Sequence, residues 1–151
     1  MIREVADQGS ADGPSRLANP AYAEKEPSVA RILMIDDDDD FRDMLRRVLE
    51  RVGYKVTEAN NGRKGIEHVR TAPTDLIITD LLMPEQEGLE TIRQLRQEFP
   101  AIKILVISGS GRIGTLDFLR VAEQFGASRS LRKPIDFQEL RDTVREFLES
   151  P

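Results

Sequence analysis

The chain contains no cysteine and a single histidine among its 151 residues. The first absence removes disulfides, thiolate nucleophiles and cysteine-ligated zinc or iron-sulfur sites. The second leaves His68 unable to form a metal cluster of its own, and its place beside Ile66 and Val69 reads as a surface position. Long apolar runs are also missing: Ile32 to Ile35 and Ile104 to Ile107 are the longest. A membrane span needs roughly 18 such residues, and the N-terminus lacks the apolar stretch of a secretion signal. The expectation is a soluble, cytoplasmic protein with no membrane insertion. Nor is there an excess of basic charge, since 27 acidic residues outnumber 22 basic ones for a net charge of -5. That balance argues against direct binding to nucleic acid.

What is present fits one domain with one core. Met1 to Val29 mix glycine, proline, serine, alanine and charges without an apolar period, which predicts a flexible tail at residues 1–29. The texture changes at Ala30, and residues 30–150 read as the folded domain. Short apolar runs predict strands at Ile32 to Ile35, Tyr54 to Glu58, Leu76 to Thr79 and Ile104 to Ile107, with a weak fifth around Ser130 and Leu131. Helical spacing is clear at Phe41, Met44, Leu45, Val48, Leu49 and Val52. It is equally clear at Phe137, Leu140, Val144, Phe147 and Leu148, where Asp136 and Glu139 form a capping-box variant behind Pro134. Helices are also expected at Arg63 to Thr71, Gly88 to Phe99 and Thr115 to Phe125, each bridging two strands. Five βα units result: an α/β fold with a doubly wound parallel sheet.

Such a sheet binds ligands at the C-terminal ends of its strands. Asp36 and Asp37 follow the first apolar run, Asp80 the third, Ser108 the fourth and Lys133 the fifth. Converging carboxylates must take up protons or recruit a hard cation, and magnesium (Mg2+) is the natural occupant. Asp80 would then be free to attack phosphorus, while Lys133, Ser108 and the ion stabilise the charge that spreads over the phosphoryl oxygens. Asp38, Asp39 and Asp40 read instead as caps and first-turn acids of the following helix.

These residues resemble the receiver domains of two-component response regulators, over Ala30 to Glu149. The pieces are Ile32-Leu33-Met34-Ile35-Asp36-Asp37, Asp80-Leu81-Leu82-Met83-Pro84 with Gly88 beyond, Val106-Ile107-Ser108-Gly109, Gly126-Ala127 and Lys133-Pro134. The resemblance implies a five-stranded, flavodoxin-like sheet of order 2-1-3-4-5 with five helices. It implies that Asp80 is the phosphoacceptor, and that Asp37, the Leu82 carbonyl and Asp36 hold Mg2+ beside it. Ser108 becomes the switch hydroxyl and Lys133 the partner of the phosphoryl group. The implied donor is a phosphohistidine on a sensor histidine kinase or histidine phosphotransfer protein; the expected reader is a downstream effector protein, and a homodimer is left open. No output domain follows the last helix, so the expectation is a stand-alone switch without enzymatic turnover. Where many receivers carry a rotating aromatic, this chain has Ser130, which shifts the expected movement to the loop from Ser108 to Gly114.

Two other readings compete. Gly109-Ser110-Gly111-Arg112-Ile113-Gly114 satisfies a dinucleotide fingerprint, but it opens the fourth unit instead of the first. A phosphatase of the haloacid dehalogenase type would use Asp36 as nucleophile with Asp38 two residues on. That alternative leaves Asp80 without a role and lacks a late acidic pair for its metal.

Overall fold

The computed structural model describes residues 29–81, 88–109, 112–113 and 116–149. The expected tail therefore lies outside the described residues except for Val29. Five parallel strands make the sheet: β1 (Arg31–Ile35), β2 (Lys55–Ala59), β3 (Leu76–Asp80), β4 (Lys103–Ser108) and β5 (Arg129–Arg132). Their spatial order is β2-β1-β3-β4-β5, as the family resemblance implied. The crossovers run through α1 (Asp39–Val52), α2 (Gly62–Thr71), α3 (Gly88–Glu98) and α4 (Phe118–Phe125), and α5 (Phe137–Glu149) follows β5.

Alternation along β1 divides the core into two layers. Ile32 and Met34 pack with Leu45 and Leu49 of α1 and with Leu140 and Val144 of α5. Leu33 and Ile35 face the opposite layer, against Ile66 of α2, Ile92 and Leu95 of α3 and Ala122 of α4. Each fully buried leucine or isoleucine contributes about 1.5–3 kcal/mol, so a helix with two such anchors is held chiefly by its apolar face.

Local chemistry fixes the helix ends. Asp38 Oδ1 accepts from Phe41 N at 3.1 Å and caps α1, and Asp39 and Asp40 occupy its first turn beside the positive helix end. Gly53 closes the same helix in the left-handed region, at φ 114°, where a side chain would be strained. Tyr54 N completes that turn on Leu49 O, so β2 begins at Lys55 and not at Tyr54. Asp136 Oδ1 accepts from Gln138 N and Glu139 N, the cap expected for α5.

The fourth crossover departs from expectation. Helix α4 starts at Phe118 and not at Thr115, because Leu116 and Asp117 pair antiparallel with Ile113 and Arg112. This ribbon uses the backbone groups that an earlier helix start would need. Among the described residues no helix is long and apolar enough to cross a membrane.

Candidate functional site

Four strands deliver polar side chains to one edge of the sheet. Asp36 extends β1 by one rung, its N–H donating to Ala59 O at 3.1 Å, and the residue is only 1% exposed. Its Oδ1 accepts from Asp38 N at 2.9 Å, which closes the turn into α1. Asp80 is the last residue of β3 and 8% exposed, with Oδ1 accepting from Leu81 N at 2.7 Å. Ser108 ends β4, and its carbonyl accepts from Lys133 N at 3.0 Å, carrying the β4–β5 pairing just past Arg132. That bond sets the Lys133 side chain over the site. Its Nζ stands 3.5 Å from Asp36 Oδ2 and 3.8 Å from Asp80 Oδ2. The ammonium also lies 4.0 Å from the centre of the Phe41 ring, a cation–π contact that steadies it without neutralising it.

Carboxylate oxygens of Asp36, Asp37 and Asp80 all fall within 4.8 Å of one another. Burial pushes the Asp36 carboxyl above its ordinary value, and the neighbouring charges of Asp37 and Asp38 push the same way. The Asp38 N–H and the Lys133 ammonium oppose the rise. Three carboxylates against one ammonium leave negative charge in a poorly solvated place. All the donors are hard oxygens, so the residues fit a small divalent cation such as Mg2+ better than a soft metal. One further group is unsatisfied: Ser108 Oγ is buried and has no hydrogen-bond partner among the described residues. An orphaned hydroxyl costs about 1–3 kcal/mol, a penalty that an incoming acceptor would relieve.

A family model for the response regulator receiver domain matches residues 32–145. The chain belongs to the response regulator receiver family. This receiver is 40% identical over 118 residues to the response regulator receiver protein CpdR of Brucella abortus (strain 2308), covering 78% of this chain and 96% of that protein. It is 28% identical over 118 residues to sporulation initiation phosphotransferase F of Bacillus subtilis (strain 168), with 78% and 93% covered. The transcriptional regulatory protein ZraR of Klebsiella oxytoca is 35% identical over 117 residues, but the chain spans only 26% of its length. Among solved structures, a CheY-like receiver domain protein from Methanospirillum hungatei superposes with a TM-score of 0.74 at 26% identity, over 81% of this chain and 95% of that one. The receiver domains of two-component systems are thus its relatives in sequence and in fold.

The same match gives the haloacid dehalogenase alternative no support. Locally, Asp38 is committed to capping α1 and donates its N–H to Asp36, so it is not poised as a general acid beside a nucleophile. Asp36, Asp37, Asp80 and Lys133 come together as the sequence indicated, and Ser108 ends the strand beside Asp80. Leu82, the expected carbonyl ligand, lies outside the described residues, as does most of the glycine loop after Gly109. His68 is half-buried instead of freely exposed, with its ring Nε2 3.2 Å from Thr57 Oγ1. At the position of the absent aromatic, Ser130 Oγ donates to Glu123 Oε2 at 2.8 Å and ties β5 to α4.

Two contributors were not visible beforehand. Phe41 fits the apolar stripe of α1, and nothing in its spacing shows that it carries Lys133. Arg42 reads as a solvated helix charge, yet its guanidinium reaches the carbonyl of Asp36. The only advance signal for Arg42 is its spacing of three residues from Asp39, with which it pairs.

Proposed function

We propose that Asp80 is the phosphoacceptor of a two-component phosphorelay, and that its phosphorylation changes the surface a partner protein reads. The observation that carries this reading is the meeting of Asp36, Asp37 and Asp80 oxygens within 4.8 Å, under a lysine that reaches two of the three. Receiver domains are phosphoacceptor switches, which draw on histidine kinases or phosphotransfer proteins. Here an Asp80 oxygen attacks phosphorus in line. A P–O bond forms as the P–N bond of the donor phosphohistidine breaks, and the imidazole leaves with the electron pair and takes up a proton.

The Leu81 N–H holds Asp80 Oδ1 and so fixes the rotation of the nucleophile's carboxylate. Lys133 supplies positive charge for the phosphoryl oxygens and stays near the acids afterward. Ser108, without a partner among the described residues, gains an acceptor when the phosphoryl group is in place, and that difference between states drives the switch. Asp36, Asp37 and Asp80, with the Leu82 carbonyl, would hold Mg2+, which when bound offsets the negative charge of the incoming group. The reading places the chain in the cytoplasm, acting on an effector protein and turning over no substrate other than its own phosphoryl group.

Incubation with Mg2+ and acetyl phosphate, followed by intact mass and peptide mapping, tests the assignment. One added phosphoryl group on Asp80, absent from Asp80→Asn, is the expected result. Incorporation elsewhere in the wild-type chain would sink it.

A further inference from the structure

Asp37 is the exposed member of the acidic cluster, and its aim depends on the backbone that carries it. The peptide unit joining Asp36 to Asp37 is planar, so fixing its carbonyl fixes the direction in which Asp37 leaves. That carbonyl accepts from Arg42 Nη1 at 2.7 Å. The other arms of the same guanidinium are also held, Nε by Glu58 Oε1 at 2.7 Å and Nη2 by Asp39 Oδ1 at 2.8 Å. Three partners on three different segments leave this side chain 14% exposed and without freedom to swing. Arg46, one turn further along α1, pairs with the other oxygen of Glu58 at 2.7 Å but makes no bond to the Asp36 carbonyl.

Resting on the reading above, we propose that Arg42 is a positioning residue for the metal site, which braces the Asp36–Asp37 peptide so that Asp37 is presented to the cation. Electrostatics alone predicts the opposite effect. A cation beside an acidic cluster repels Mg2+, and removing it would tighten binding. Bracing predicts weaker binding, by the tenfold or more typical of residues that orient metal ligands. The planar fork of arginine is needed to span the carbonyl and both carboxylates at once, which the single ammonium of lysine cannot do.

The test is calorimetric Mg2+ titration of the full chain as wild type, Arg42→Gln, Arg42→Lys and Arg46→Gln, with each melting temperature measured in EDTA. Arg46→Gln removes the same charge from the same helix face without touching Asp36. The expected result is a Kd about tenfold higher in Arg42→Gln, a several-fold rise in the charge-conserving Arg42→Lys, and little change in Arg46→Gln. Unchanged or tighter binding in both Arg42 variants overturns the inference, as does a loss in Arg46→Gln matching theirs. Should Arg42→Gln fail to fold, Arg42→Lys decides. Failure of the wild type to bind Mg2+ would instead sink the metal site itself.

Discussion

The two ends of β4 treat their polar groups in opposite ways. Where the strand begins, Ser128 Oγ accepts from Ile104 N at 3.1 Å and Ser128 N donates to Ile104 O at 2.8 Å. Arg96 closes the same end, giving its guanidinium hydrogens to Gly126 O at 2.8 Å, Pro100 O at 2.7 Å and Ile102 O at 2.7 Å. Gly126 there takes φ 125°, which turns its carbonyl toward α3. Where the strand ends, Ser108 Oγ has no partner among the described residues and Asp36 sits nearby with a carboxyl that burial makes reluctant to ionise. One end is saturated by the fold; the other, among the described residues, leaves a buried hydroxyl without a partner.

The sharpest way to break this contrast is Arg96→Ala, which strips a donor from three carbonyls at once. It should cost about 2 kcal/mol in denaturant unfolding while leaving acetyl phosphate labelling intact. A loss of labelling in the folded variant would show that the two ends are not separable. Next in size is the pair Ser128→Ala and Ser108→Ala. The first leaves Ile104 N without its acceptor and should cost about 1 kcal/mol, whereas the second deletes a hydroxyl with no partner among the described residues and should be neutral or slightly stabilising. Equal losses in the two serine variants would erase the distinction.

The smallest effect concerns pH. Burial raises the Asp36 pKa on folding, so the folded chain holds that proton more tightly than the unfolded one. The stability penalty is then absent below the ordinary carboxyl value of 3.8, sets in as pH rises toward the folded pKa, and is complete above it. Without Mg2+, Asp36→Asn should therefore be more stable than wild type at pH 7. That advantage should shrink as the pH falls toward 3.8. An advantage that grows on acidification would mean Asp36 is stabilised, not strained, as an anion.

How far the sequence could be read follows from the same physics. Strands buried on both faces, such as the Ile32 to Ile35 segment of β1 and the Leu76 to Thr79 segment of β3, appear as continuous apolar runs. The edge strand β5 buries only Leu131, so it left a weak trace. Asp36, Asp37, Asp80, Ser108 and Lys133 were legible because each stands just at or beyond a strand's end, where the fold exposes its ligand edge. Arg42 and Arg96 were not, since a helical arginine bound to distant carbonyls looks like any solvated charge until the fold is known. The ribbon at Arg112–Ile113 and Leu116–Asp117 was hidden for another reason: two-residue strands are too short to show a period.

Lys133 stands immediately after β5, the last strand in the chain and one margin of the sheet, while the acids it serves lie on or beside central β1 and β3. A nascent chain therefore displays Asp36, Asp37 and Asp80 well before the ammonium that stands over them has left the ribosome. The charge balance among the three acids is therefore set by the final strand: the ammonium comes within reach of Asp36 and Asp80 only when that margin has docked, and it leaves with it if the margin frays.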